Sequence, residues 1–175
     1  YYTEKFLNYL TIEKNYSPHT LTNYKIDLKE FEAFLAVQKN PDIKDIDYFV
    51  LRKFLSVLSE KQVSKRTTSR KISTLKSFFK FLLREGIIKS NPASSLLYPR
   101  LEKPLPQFLT EEEMKILLEC PRGRDVLALR DKAILEVLYS TGSRVAELVS
   151  LKRDDVDLIA GIAKVKGKGR KERLL

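Results

Sequence analysis

At 175 residues, with 43% hydrophobic and 32% charged side chains, the chain has the make-up of a soluble globular protein of one ordinary or two small domains, which excludes a disordered chain. No apolar run approaches the roughly 18 residues that a bilayer span requires, and Tyr1-Tyr2-Thr3-Glu4-Lys5 does not read as a signal peptide, so a cytoplasmic protein is expected. Lys and Arg outnumber Asp and Glu by 33 to 23, a net charge of +10 that suits a polyanionic partner and leans toward residues 1–98.

The first half reads as helical. Phe6, Leu7, Leu10 and Ile12 mark a short amphipathic segment ending near Asn15. Ser17 followed by Pro18 predicts a helix N-cap with proline at the first helical position. Leu21, Tyr24, Leu28, Phe31 and Leu35 then recur at helical spacing as one buried stripe, and Asn40-Pro41 ends it. Asp47 is placed to cap a third helix running to Glu60. A fourth extends from Ser64 or Lys65 to Arg84, with Gly86 as its stop. Four helices make a small bundle over residues 1–98. Pro99, Pro104 and Pro106 mark residues 99–107 as an extended linker.

The second half, residues 108–175, opens on Thr110 with Glu113 three positions later, the signature of a capping box. One helix should follow to Cys120, and another from Asp125 to Thr141 with Gly142 as its left-handed stop. A short helix from Val145 to Lys152 precedes an acidic turn at Asp154-Asp155. Residues 162–166 and 171–175 then flank Gly167-Lys168-Gly169 as a β-hairpin. Tyr139 falls on an apolar helix face and Cys120, the only cysteine, reads as a small buried filler that forms no internal disulfide.

The fourth helix carries eight basic residues between Lys61 and Arg84 and no acidic one. At 100° per residue, Ile72, Leu75, Phe79, Leu82 and Leu83 gather on one side. Arg66, Arg70, Ser73, Ser77, Lys80 and Arg84 gather on another, within about 80° of arc and over roughly 27 Å. Serines allow close approach and arginines offer forked donors, so this row suits duplex DNA, although a basic run is also what a solvated bundle face looks like.

Arg144, just after Gly142, sits where two helices should meet. A permanently charged guanidinium there can hold the non-bridging oxygens of a phosphodiester. Glu147, one helical turn on, reads as its structural partner and not as a base. Lys168 stands between two glycines and can project an ammonium. Taken alone, each cation is equally an ordinary surface residue. No His-Glu-His cluster, paired-cysteine motif or Gly-rich P-loop occurs, so no metal and no cofactor is expected.

Tyr139-Ser-Thr-Gly-Ser-Arg144-Val-Ala-Glu-Leu148 and Gly167-Lys168-Gly169-Arg-Lys-Glu-Arg173 resemble the two motifs that open the catalytic domain of the tyrosine recombinase, or phage integrase, family in its Xer-like branch. Ser143 and Ala146 depart from the usual leucine and serine. Ser17-x-x-Thr20-x-x-x-Tyr24-x-x-Asp27-Leu28-x-x-Phe31 and Arg70-Lys-Ile-Ser73-x-Leu75-Lys-Ser77 resemble that family's core-binding domain. The resemblance implies a mainly α protein. A four-helix SAM-like core-binding bundle would be followed by the start of an α+β catalytic domain with a small antiparallel hairpin.

It implies site-specific DNA recombination through a 3′-phosphotyrosine, on double-stranded DNA and together with other recombinase protomers. Arg144 and Lys168 would be catalytic, Lys168 as the general acid. Thr20, Arg66, Thr67, Arg70, Ser73 and Ser77 would meet the major groove, and Lys166 and Arg170 would anchor phosphate. His19, the sole histidine, and Lys80 and Arg84 on the basic row complete the expected DNA contacts. The family's His-x-x-Arg motif, second His or Trp, and nucleophilic tyrosine are not found in this sequence. The expectation is therefore a truncated chain that binds DNA without cutting it. A DNA-binding regulator that uses the same bundle without chemistry is the alternative.

Overall fold

The computed structural model describes residues 1–38, 42–102, 105–167 and 172–175, with the Lys166 side chain left aside. It separates into two compact units, Tyr1–Pro104 and Leu105–Leu175. Among the described residues the chain is mainly helical, with one small antiparallel sheet, which is the fold class the sequence implied.

In the first unit α1 (Tyr2–Ile12), α2 (Pro18–Val37), α3 (Tyr48–Glu60) and α4 (Lys65–Arg84) form the bundle, with a 3₁₀ turn at Ile43–Asp45. Their starts are set by local hydrogen bonding. Asp47 accepts from the Val50 N–H at 2.9 Å, Ser17 from Thr20 at 3.4 Å and Ser64 from Thr67 at 3.3 Å. Gly86 stops α4 at a φ of +68°. The predicted break at Asn40-Pro41 lies outside the described residues.

Aromatic rings fill the centre. Phe6 on α1 packs against Tyr24 on α2 at 5.7 Å and against Phe78 and Phe81 on α4 at 5.4 Å each. Phe31 meets Phe54 on α3 edge-on at 5.2 Å and Phe79 at 6.2 Å. Beyond α4, Ile88, Ala93 and Leu96 return to the same core. The buried face of α4 is broader than its apolar periodicity predicts, because α1 and α2 both pack on it. Phe78, Phe81, Thr74 and even Lys71 are buried. Leu83, assigned to the buried side, is exposed instead. It lies about 110° from the middle of the buried arc, on the exposed flank of the helix. Ile12, in the last turn of α1, is exposed for the same reason.

The second unit contains α5 (Glu111–Glu119), α6 (Val126–Thr141), α7 (Val145–Ser150) and a 3₁₀ turn at Arg153–Asp155. Strands β1 (Val156–Asp157), β2 (Ile162–Lys166) and β3 (Glu172–Leu174) lie in that order, both pairs antiparallel. The capping box is complete: the Glu113 N–H donates to Thr110 Oγ1 at 3.2 Å and the Thr110 N–H to Glu113 Oε2 at 2.8 Å. Asp125 caps α6 by accepting from Leu127 and Ala128. The short helix ends at Ser150, not Lys152, because Leu151 is already extended at φ −66° and ψ 130°.

Among the described residues of this unit only Val165 and Glu147 are buried. Cys120 is exposed, not a buried filler, and Tyr139 is 58% exposed, not core. Periodicity identifies an apolar stripe but not what covers it. The stripes of α5 and α6 meet each other and α7 only in part, so Leu127, Leu129, Ile134 and Val145 remain exposed as well. No described helix is long and apolar enough to cross a membrane.

Candidate nucleic-acid interface

The basic row of α4 is present, but its members differ in what they already hold. Arg66 and Lys80 are exposed and have no acidic partner among the described residues. They lie 14 positions apart on the helix, about 21 Å along it and within about 40° of one another. Lys80 borders an open groove of about 400 Å³ shared with Lys14, Tyr9, Tyr16 and Arg84.

Arg70 is half-buried, and its Nη1 donates to Asp27 Oδ2 on α2 at 2.5 Å. Thr74 Oγ1 donates to the same oxygen at 2.9 Å. Lys71 Nζ donates to Asp27 Oδ1 at 3.0 Å and to Glu30 Oε2 at 2.6 Å. The absence of an acid within α4 therefore does not leave its arginines unpaired, since α2 supplies one. Asp27 is 3% exposed and Lys71 4%. Burying two polar groups at that depth is costly unless each is bonded, and here each is satisfied by the other and by neighbouring donors and acceptors.

This pair escaped the sequence reading, yet a signal was there. Lys71 falls between core positions of α4, and Asp27 sits beside Leu28 on the buried stripe of α2. A lone charge at a core position needs an opposite charge on the facing helix.

Arg84 leaves the row. Its Nη1 donates to Glu13 Oε2 at 3.3 Å and its Nε and Nη2 to Glu85 Oε1, while its guanidinium lies 4.0 Å from the Tyr9 ring centroid. Its charge is answered locally, and its flat face is spent on an aromatic surface.

The hydroxyls also have partners. Ser73 Oγ donates to the Ser69 carbonyl at 3.1 Å and approaches Tyr98 Oη at 3.4 Å. Ser77 hydrogen-bonds to Tyr24, whose phenol is pushed up by burial, an effect that bond opposes. Tyr24 is accordingly part of the packing, as its place on the stripe implied. Thr20 and Thr67 occupy equivalent positions in the first turns of α2 and α4, each within 3.0 Å of its capping serine. His19 is exposed beside Thr20.

In the second unit, Gly142 ends α6 at a φ of +60°, and Arg144 follows in extended conformation as the residue that opens α7. The Arg144 N–H donates to Glu147 Oε2 at 2.9 Å, and its Nη1 donates to Glu147 Oε1 at 2.8 Å. Arg173 on β3 adds a third bond, Nη2 to Glu147 Oε2 at 2.7 Å. The Arg144 amide, then the Arg173 and Arg144 guanidiniums, hold this carboxyl at about 2, far below the usual range, while burial works the other way.

Glu147 thus holds the amide and one guanidinium nitrogen of Arg144 and ties α7 to the hairpin. The Arg144 side chain itself remains 66% exposed, with its Nε and Nη2 free of any partner among the described residues. Arg173 is a partner of Glu147 that sequence reasoning missed. Its strand register opposite Val165 brings it here. The Ser143 hydroxyl beside this junction is buried without a hydrogen-bond partner among the described residues.

Lys168 and Arg170 lie outside the described residues. Lys166 is placed only through its backbone, paired with Glu172. Lys164 on β2 pairs with Glu172 at 2.7 Å. Among the described residues no cluster of His, Cys, Asp or Glu could hold a metal ion.

Comparison with known proteins covers both units. Residues 3–86 match the family described as phage integrase, N-terminal SAM-like domain, and residues 107–175 match the phage integrase family. The chain is 46% identical over 168 residues to the tyrosine recombinase XerC of Halalkalibacterium halodurans, covering 96% of this chain and 55% of that protein. It is 43% identical over 174 residues to the XerC of Bacillus subtilis, covering 99% of this chain and 57% of that protein. The chain thus spans little more than half the length of these curated relatives.

Among solved structures it resembles a lambda integrase tetramer bound to a Holliday junction, with TM-score 0.76 and 20% identity over 99% of this chain and 49% of that one. The XerH recombinase in its pre-cleavage complex with difH substrate gives TM-score 0.68 and 23% identity over 99% and 52%. At that identity both likenesses concern the fold.

Proposed function

The chain belongs to the phage integrase family of tyrosine recombinases, and from that premise we propose that it forms the DNA-gripping half and the opening part of the catalytic half of a site-specific recombinase. Duplex DNA is the substrate, with other recombinase protomers as partners on the same site. The first unit holds it through α4, with Arg66 and Lys80 on phosphates and Arg70, Ser73 and Ser77 toward the groove. The starts of α2 and α4 present His19, Thr20 and Thr67.

In the second unit Arg144 neutralises the phosphate under attack. Lys168 protonates the departing 5′-oxygen, and Lys166 and Arg170 anchor neighbouring phosphates. The bond energy is retained as a 3′-phosphotyrosine, so rejoining needs no external energy source. Removing charge from a phosphorane-like transition state is electrostatic work, best done by a donor already fixed in place. The observation that supports the reading is Arg144 itself, held by Glu147 through its amide and one guanidinium nitrogen while its side chain stays 66% exposed.

Residues 1–175 contain no His-x-x-Arg motif, so this chain by itself is proposed to bind duplex DNA without forming a covalent link. A nicked suicide substrate tests both halves. The chain should shift the duplex and leave no denaturant-resistant adduct, whereas a protein extending it to the length of its relatives should form one without divalent metal. In that longer protein Arg144→Ala should abolish the adduct and leave DNA binding nearly intact. Lys168→Ala should be rescued by a 5′-bridging sulfur, because a thiolate leaves without a proton. An adduct formed by residues 1–175 would overturn the reading, and absence of sulfur rescue would reduce Lys168 to a phosphate anchor.

A further inference from the structure

The buried Asp27 cluster divides the arginines of α4 by role. Asp27 and Glu30 carry two negative charges, and Arg70 and Lys71 carry two positive ones, so the set joined by these bonds is neutral. Arg70 adds little to the attraction of a phosphate backbone, because a phosphate drawing it away must compete with a carboxylate at 2.5 Å. Its side chain is nevertheless 39% exposed, and its Nε and Nη2 have no partner among the described residues. Pinned by one nitrogen against a nearly immobile anion, the planar fork loses the freedom that makes surface arginines adaptable. Thr74 and Lys71 hold the anion from its other sides, so Asp27 cannot swing to follow the ligand. A fixed and locally neutralised fork suits a partner with two acceptors at a set spacing and no charge of its own. In the major groove that partner is the O6/N7 edge of guanine.

We propose that Arg70 is a base-reading residue that selects a guanine in the recombination site, and that Asp27 is the positioning residue that aims it. Arg66 and Lys80, without an acidic partner among the described residues, carry the sequence-independent phosphate contacts. The proposal rests on the duplex-binding reading of α4 and assigns a task within it.

Selection of bound duplexes from a randomised pool, followed by salt titrations on the selected site, tests it with the chain as it stands. The unsubstituted chain should enrich guanine at one position that Arg70→Ala and Arg70→Lys both cease to prefer. The loss of discrimination there should be roughly five- to 150-fold, the range of one bidentate base contact. The slope of log K against log salt should stay unchanged in Arg70→Lys and fall by well under one phosphate contact in Arg70→Ala.

Asp27→Asn, folded by circular dichroism, should lose the same guanine preference while its salt slope steepens, because the released cation becomes available to phosphate. If that variant does not fold, the two Arg70 variants decide alone. Retention of every base preference in Arg70→Lys would overturn the proposal. So would a full one-contact drop in slope for Arg70→Ala with preferences intact, since either result makes Arg70 a phosphate contact. Failure of the unsubstituted chain to bind duplex in a salt-dependent way would instead remove the reading beneath it.

Discussion

Arg66 and Lys80 offer the most direct quantitative test of the basic face, because neither has an acidic partner to release among the described residues. Each cation that neutralises a duplex phosphate contributes about 0.9 to the slope of log K against log salt. The double variant Arg66→Ala/Lys80→Ala should therefore lower that slope by about 1.8. Raising salt fourfold, from 50 to 200 mM, multiplies the predicted difference by the logarithm of four. The affinity gap between parent and variant should consequently narrow about twelvefold over that range.

Arg84→Ala is the internal control: bonded to Glu13 and Glu85 and stacked on Tyr9, it should change the slope far less. Fluorescence anisotropy on a labelled duplex at four or more salt concentrations gives the slopes, and circular dichroism verifies the helices. An unchanged slope in a folded double variant would refute the assignment of this face, and an equal drop for Arg84→Ala would refute the division among its cations.

Glu147 should titrate at about 2 when its carboxyl carbon is followed by NMR, and a value in the ordinary range would mean that the arginine clamp does not form in solution. Because the folded value is depressed, its stabilisation should be complete above the ordinary carboxylate range and be lost as pH falls from there toward about 2. Glu147→Gln should remove that dependence. Phe79→Ala, at a site with 0% exposure, should cost about 3–5 kcal/mol in a urea titration, and a loss below about 1 kcal/mol would place Phe79 outside the core. Gly142→Ala meets no atom within 4 Å, so its cost is the left-handed backbone alone, roughly 1–2 kcal/mol. That strain should speed hydrogen exchange of the Leu148 amide, which bonds to the Arg144 carbonyl, and unchanged exchange would show that it is not felt at the arginine.

Helix starts were legible because their chemistry is local. Ser17, Asp47, Ser64, Thr110 and Asp125 each cap with an amide two or three residues on, so spacing alone identifies them. Arg144 with Glu147 was legible for the same reason, one helical turn apart. What sequence could not supply was long-range. Asp27 and Arg70 are 43 positions apart and Glu147 and Arg173 are 26 apart, and both contacts depend on which faces of two elements meet. The two-residue strand β1 is too short to leave an alternation, and it exists only through its pairing with β2. Tyr139, Cys120 and Leu83 failed for a common reason, since an apolar face is buried only when another element covers it.

The arginines of this chain differ less in position than in the carboxylate each one faces. Arg66 faces none among the described residues, so what it offers is a charge that lysine could replace in kind. Arg70 and Arg144 each give one guanidinium nitrogen to a buried anion and have no partner for Nε and Nη2 among the described residues. A lysine at either place has a single ammonium and must choose between the anion and the ligand, so the guanidinium is required by the partner beneath it as much as by the ligand above. Asp27 and Glu147 thus occupy corresponding roles in the two units, one beneath the face assigned to base reading and one beneath the assigned phosphate site. Both are among the few charged groups buried in the described chain. Burying a carboxylate is costly unless it is fully bonded, and each of these accepts three or more hydrogen bonds. Those same bonds hold each arginine still, so the desolvation cost of the carboxylate is tied directly to the preorganisation that the ligand meets.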